Sequence, residues 1–290
     1  MPLPEKTVSV NINGSSLPVQ YWESGEHHGR AILLLHGDVG SALVHWGETL
    51  SALGDTFHVL APNLPAFGGS AALPNANPDS SDYCQWLIAF LDALNINQAV
   101  IVGNESGGLL ARLFAAEYPQ RVPALILVNG GGIATKPSVA DRLLARIPML
   151  GQTLIYASCR SQTTRPKIEA LVHEPQIITD EFAEAAKANL AGLVGLVRAF
   201  RFGELPAQRT PIVPTLLLWG TEDKSAPLKE AEVVRASIPG SELSPISGVG
   251  HFPHLEAPDV FTWQVEQFLE RLTRPQRSKV GGASVLRPLQ

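Results

Sequence analysis

Four short apolar runs without a polar break constrain this chain more than any other feature. They are Ala31-Ile32-Leu33-Leu34-Leu35, Ala99-Val100-Ile101-Val102, Ala124-Leu125-Ile126-Leu127-Val128 and Thr215-Leu216-Leu217-Leu218-Trp219. A strand with one face in water alternates apolar and polar residues. A strand covered on both faces does not, and such strands belong to parallel sheets. Helical stretches lie between the runs, at about residues 42–53, 81–94 and 107–118, and Ser80-Ser81-Asp82 offers capping residues for the second. Strand–helix alternation predicts an open, mostly parallel, doubly wound α/β sheet, with ligands at the carboxyl ends of its strands.

The start of the chain is different. Val8-Ser9-Val10-Asn11-Ile12 alternates with period two, and Asn13-Gly14 separates it from a second strand-like segment, Leu17 to Trp22. This reads as an antiparallel hairpin. The rhythm also breaks from Gly131 to Pro211, where helical material dominates and no parallel strand is visible. An interval this long is not a loop of a compact domain. The expected organisation is a sheet-based core from residues 1–130 and 212–274, a helical insertion at 131–211 before the fourth apolar run, and a disordered tail at 275–290.

Composition narrows the function. With 22 Lys+Arg against 27 Asp+Glu, the formal net charge is −5, without the basic footprint that nucleic acid requires. Five basic residues and no acids lie between Arg271 and Gln290, read as a solvated helix end running into the tail. Cys84 and Cys159 are the two cysteines, too few for a disulfide scaffold and without metal-site spacing; both are read as structural. No membrane-length apolar run and no signal-peptide pattern is present, so a cytoplasmic location is expected, with neither membrane nor nucleic acid as partner.

The chemistry concentrates at Val102-Gly103-Asn104-Glu105-Ser106-Gly107-Gly108, which joins a buried strand to a helix. This segment resembles the nucleophile elbow of the α/β-hydrolase superfamily, a strained turn of the form Gly-x-nucleophile-x-Gly. Four further landmarks follow the same resemblance: His36-Gly37-Asp38, Pro62-Asn63-Leu64-Pro65-Ala66-Phe67-Gly68, Gly220-Thr221-Glu222-Asp223 and Gly250-His251-Phe252-Pro253-His254. The resemblance implies a capped hydrolase that needs no cofactor or metal and takes a small, uncharged, apolar substrate. It implies Glu105, Asp223 and His251 as the catalytic group, with oxyanion-binding backbone N–H groups at Asp38 and Ser106. His254 rivals His251, and His36 reads as a structural loop residue. Trp46 and Trp86 read as packing residues, and Leu150, Leu154, Leu190, Leu193, Val194 and Phe200 as cap core.

Where the family has Ser, Cys or Asp, this chain has Glu105, and three readings stay open. Glu105 is a carboxylate nucleophile, as the elbow Asp of epoxide hydrolases and haloalkane dehalogenases implies, toward an epoxide, a carbon–halogen bond or an ester. A carboxylate is ionised at pH 7 and needs no base to attack carbon. Its extra methylene displaces the attacking oxygens, Asp38 would repel a leaving halide, and the insertion holds one tyrosine, Tyr156, where two typically protonate an epoxide. In the second reading the register slips by one and Ser106 is the nucleophile of an esterase, flanked by Asn104 and Gly108. In the third, Glu105 and His251 work as a proton-transfer pair in a lyase or cyclase, or the protein binds a ligand without turnover.

Overall fold

The computed structural model describes residues 3–131, 150–202 and 210–273. Eight strands form one sheet: β1 (Glu5–Ile12), β2 (Ser15–Ser24), β3 (Ala31–Leu35), β4 (His58–Pro62), β5 (Ala99–Asn104), β6 (Leu125–Val128), β7 (Thr215–Gly220) and β8 (Glu242–Ile246). Their spatial order is β1-β2-β4-β3-β5-β6-β7-β8. The β1–β2 hairpin and the β2–β4 pairing are antiparallel, and every other pairing is parallel.

The apolar runs are apolar throughout because successive side chains enter opposite cores. Leu33, Leu35, Ile101, Leu125 and Leu127 face one cluster, packed by α2 (Ser80–Ala93) and α3 (Glu105–Glu117) through Trp86, Phe90 and Phe114. Their neighbours Ile32, Leu34, Val100, Val102 and Ile126 face the other. There Trp46 of α1 (Ala42–Leu53) and Phe261 and Phe268 of the C-terminal helix Pro258–Thr273 cover them. Each Leu or Ile so buried contributes about 1.5–3 kcal/mol. Trp46 and Trp86 thus serve packing.

Two strands escape the sequence pattern. β4 follows the α1 helix closely and ends in Pro62. β8 carries Pro245 and lies at the sheet edge, where a missing N–H costs no ladder bond. The helix α2 is capped by Asp79, one residue before the expected Ser80-Ser81-Asp82. Its carboxylate accepts from the Ser81 and Asp82 N–H groups at 2.8 and 3.1 Å, and Asp82 accepts from Asp79 N–H at 3.0 Å. A carboxylate at this position satisfies donors that the first helical turn leaves free.

In the 131–211 interval the described residues form α4 (Leu150–Gln162), α5 (Arg165–Glu169), α6 (Asp180–Ala188) and α7 (Leu190–Leu196), then a π-helical stretch Val197–Phe202. Leu193 and Phe200 are buried, whereas Leu154 is exposed, contrary to its expected place in the cap core. The tail expected at 275–290 and the side chain of Leu150 lie outside the described residues. After β7 come α8 (Leu228–Ser237), β8, the short α9 (Pro253–Glu256) and α10 (Pro258–Thr273). Among the described residues no helix is long and apolar enough to cross a membrane.

Candidate active site

Between β5 and α3 the chain turns at Glu105, whose φ is +47°. A side chain other than glycine is strained there, a cost met only where neighbours enforce the turn. Those neighbours leave no room for side chains on either flank. A Cβ on Gly103 would lie 2.4 Å from the Gly107 carbonyl oxygen, and one on Gly107 would lie 2.3 Å from that of His36. Asn104 instead turns into the protein and donates to Val128 O at 2.8 Å. Glu105 is therefore the left-handed residue of the turn, and Ser106 lies one step along the helix.

The Glu105 carboxylate has two different partners. Oε1 accepts from His251 Nε2 at 2.6 Å, and Oε2 accepts from the Asp38 backbone N–H at 2.8 Å. On its other side, His251 Nδ1 donates to Asp223 Oδ2 at 2.5 Å. Two acceptor-only partners require a proton on both ring nitrogens, so the ring is an imidazolium. Burial pulls the His251 pKa down, but the Glu105 charge and the Asp223 hydrogen bond outweigh it and hold it at about 10. The same pairing acts on the carboxyls. Burial pushes Glu105 up, and His251, aided by Asp38 N–H, brings it below the ordinary value. Burial likewise pushes Asp223 up, and its hydrogen bond with His251 brings it down.

Asp223 is tied by more than the histidine. Its Oδ1 accepts from Ser225 N, Ser225 Oγ and Ala226 N at 2.8, 2.7 and 2.9 Å. Its Oδ2 accepts from Asn129 Nδ2 at 2.6 Å, and Asn129 Oδ1 accepts from Gly220 N at 3.0 Å. Asn129 thus joins the ends of β6 and β7 to the acid. Sequence reasoning missed Asn129 and Ser225. The Asn129-Gly130-Gly131 punctuation after an apolar run was the available signal. Glu256 fixes the histidine loop, accepting from Gly250 N at 2.9 Å and Phe252 N at 3.0 Å.

His36, His45 and His254 are neutral scaffolding, because burial lowers the pKa of each. His36 donates from Nδ1 to Gly37 O at 2.8 Å and accepts at Nε2 from Leu64 N at 3.0 Å, and burial lowers its pKa to about 3. His254 packs on Trp46 and lies 3.0 Å from His45 Nδ1, away from Glu105. His45 donates from Nε2 to Val39 O at 2.6 Å, holding the loop that presents the Asp38 N–H.

Asp38 contributes a side chain as well as an N–H. Its carboxyl lies beside Ser106, whose hydroxyl and backbone N–H draw its pKa down. The Ser106 backbone N–H, expected as an oxyanion donor, thus lies close to the Asp38 carboxyl. Burial and the Glu105 charge push the Asp38 carboxyl up to about 7, against the pull of Ser106 and His251. Residues of the 131–211 interval close over this region. Leu171 O accepts from His251 N at 3.0 Å, and Asn189 bridges two core loops, donating to Gly40 O at 2.8 Å and accepting from Gly68 N at 2.7 Å. Cys159 on α4 is buried and close enough to Asp38 to feel its charge. No group of three or more His, Cys, Asp or Glu suited to a metal ion occurs among the described residues.

A Mycobacterium tuberculosis protein described as uncharacterized is 31% identical over 264 residues, covering 83% of this chain and 76% of that protein. The 2-hydroxy-6-oxo-6-phenylhexa-2,4-dienoate hydrolase of Burkholderia cepacia is 27% identical over 285 residues, covering 91% and 96%. Among solved structures, a thermophilic esterase from Thermogutta terrifontis superposes with a TM-score of 0.71 at 22% identity, over 93% of this chain and 99% of that one. A meta-cleavage product hydrolase from Pseudomonas fluorescens superposes with a TM-score of 0.70 at 23% identity, over 93% and 98%. At such identities the superpositions speak for the fold. Residues 32–262 match the Alpha/beta hydrolase family, and the chain is accordingly a hydrolase that belongs to this family.

Proposed function

We propose that this hydrolase cleaves a small, uncharged, apolar substrate with the Glu105 carboxylate as nucleophile. One observation carries the reading: the elbow carboxylate is ionised and held at both oxygens, by His251 and by Asp38 N–H. An ionised carboxylate attacks an electrophilic carbon without a base. The new carbon–oxygen bond makes an ester at Glu105, and the leaving atom departs with its electron pair.

Ester formation removes the Glu105 charge, the strongest influence raising the His251 pKa. Burial then weighs more heavily, and the imidazolium releases its proton. Neutral His251, still oriented by Asp223, takes a proton from water as that water attacks the ester carbonyl. General-base help of this kind is worth about 10²–10⁴-fold. The oxyanion that forms sits where Oε2 now accepts from Asp38 N–H, and a donor so placed is worth about 10²–10³-fold. Collapse of the intermediate returns the Glu105 carboxylate.

Single-turnover hydrolysis in ¹⁸O-water, followed by mass spectrometry of the Glu105 peptide, tests this. Label in Glu105 and none in the product is expected. Label only in the product would overturn the nucleophile and favour the second reading, Glu105 as a base on water, which the carboxylate–imidazolium contact also suits. The esterase reading has less support, because Glu105, not Ser106, occupies the His251 nitrogen.

A further inference from the structure

We infer that the Asp38 side chain is the proton donor to the leaving atom, and that the substrate bond is therefore one whose leaving oxygen must be protonated: an epoxide. The inference rests on the nucleophile reading above and adds a residue and a substrate class to it.

Opening an epoxide leaves an alkoxide, a far stronger base than a leaving halide. A nucleophile at the elbow thus needs an acid beside it. His251 is committed, with both N–H groups directed at carboxylates. Tyr156, the one tyrosine of the 131–211 interval, is 49% exposed on the outer side of α4, where it lines a groove with Gln152 and Arg198. Asp38 is different. Its Oδ1 is buried and, among the described residues, without a hydrogen-bond partner. Its backbone N–H touches Glu105, and its carboxyl lies on the first turn of α3 beside Ser106. An unpartnered buried oxygen next to a nucleophile is a costly arrangement unless a substrate atom or a proton completes it.

Electrostatics agrees. Among the described residues, the charged and titratable groups facing Asp38 are Glu105, His251 and, from α4, Cys159. Glu105 dominates among them and disfavours a second negative charge. Two carboxyls in one site divide into an ionised and a protonated member, and such a division marks base from acid. Here Glu105 is ionised, and Asp38, pushed up to about 7, keeps its proton below neutral pH.

The step balances. A Glu105 oxygen bonds to an epoxide carbon, the carbon–oxygen ring bond breaks, and its electron pair takes the Asp38 proton to give a hydroxyl. Asp38 is left as carboxylate and His251 as imidazolium. Transfer of the His251 proton to Asp38 restores the acid and frees the base. Water then hydrolyses the ester and yields a vicinal diol, with no net proton change.

The test uses the whole chain with two probes, styrene oxide and 1-bromohexane, the bromide leaving without a proton. Rates of adduct formation on the Glu105 peptide are measured by mass spectrometry for wild type and Asp38→Asn. The ratio of epoxide rate to bromide rate is expected to fall by about 100-fold or more in Asp38→Asn. In wild type alone, which keeps the test valid should the variant not fold, the epoxide rate should fall about tenfold per pH unit above 7 and the bromide rate should not follow it. An unchanged ratio, or an epoxide rate flat from pH 6 to 9, would overturn Asp38 as acid and leave the nucleophile standing. No adduct on Glu105 from either probe would overturn the nucleophile reading, and this inference with it.

Discussion

Glu105 and His251 meet at 2.6 Å between Oε1 and Nε2, and the extra methylene of glutamate makes this possible while Oε2 still reaches Asp38 N–H at 2.8 Å. One carboxylate therefore spans the space between histidine and oxyanion donor. Both oxygens are placed by rigid partners: a ring locked by Asp223 and a loop locked by His45.

Glu105→Asp should lose this span. The shorter side chain reaches one partner at most, and a displacement of roughly 1 Å at a reacting atom costs on the order of 100-fold. A fall in kcat of about that size is expected, with the fold retained by circular dichroism. An aspartate variant as fast as wild type would show that the long side chain has no positioning role.

The buried ion pair also sets how stability depends on pH. The His251 pKa is raised from 6.5 to about 10, so its contribution is complete below pH 6.5 and is lost as pH rises through about 10. Glu105 and Asp223 are lowered from 4.5 and 3.8, so theirs is complete above those values and is lost on acidification. The contribution of this group to Tm, read as the difference between wild type and Glu105→Gln, should be largest between about pH 4.5 and 6.5 and shrink on both sides. In Glu105→Gln the alkaline decline should be shallower, and an identical alkaline slope would refute the assignment.

Gly103 tests the elbow independently of chemistry. An added methyl lies 2.4 Å from a backbone oxygen, and neither side of that contact is a flexible side chain. Gly103→Ala should cost about 3 kcal/mol, at the upper end for overpacking, read as a lower urea midpoint with unchanged slope. A loss under about 0.5 kcal/mol would mean that the turn relaxes freely.

Much of this site was legible because its residues stand in local patterns. Gly103 and Gly107 bracket Glu105, His251 follows Gly250, and Asp223 closes a short turn after an apolar strand. Those patterns are steric requirements of single turns, so sequence displays them. The polar groups that orient the site come from distant turns and have no such signature. Asn129 reaches Asp223 across 94 positions, and Asn189 reaches Gly40 across 149. An isolated Asn reads as an ordinary turn residue until the fold brings its partners together. The strands β4 and β8 escaped for a local reason, since proline within or at the end of a short apolar stretch argues against a strand unless it lies at an edge or terminus.

Asn189 provides the last prediction, because it ties the 131–211 interval to the loops of the site. It lies between α6 and α7, is buried, donates to Gly40 O and accepts from Gly68 N. Gly40 is two residues beyond Asp38, so this bond steadies the loop that presents the N–H to Glu105. Asn189→Ala leaves two backbone groups unpaired, at about 1–3 kcal/mol of stability. Asn189→Asp keeps an acceptor for Gly68 N but sets a carboxylate oxygen against the Gly40 carbonyl. At pH 7 the Asp variant should therefore be no more stable than the Ala variant, and acidification should restore it, since a protonated carboxyl donates. Chemical denaturation at pH 7 and pH 4.5 reads both effects, and the same variants should show a lower kcat from the loosened loop. An Asp variant as stable as wild type at pH 7 would mean that Gly40 O is not held by this side chain.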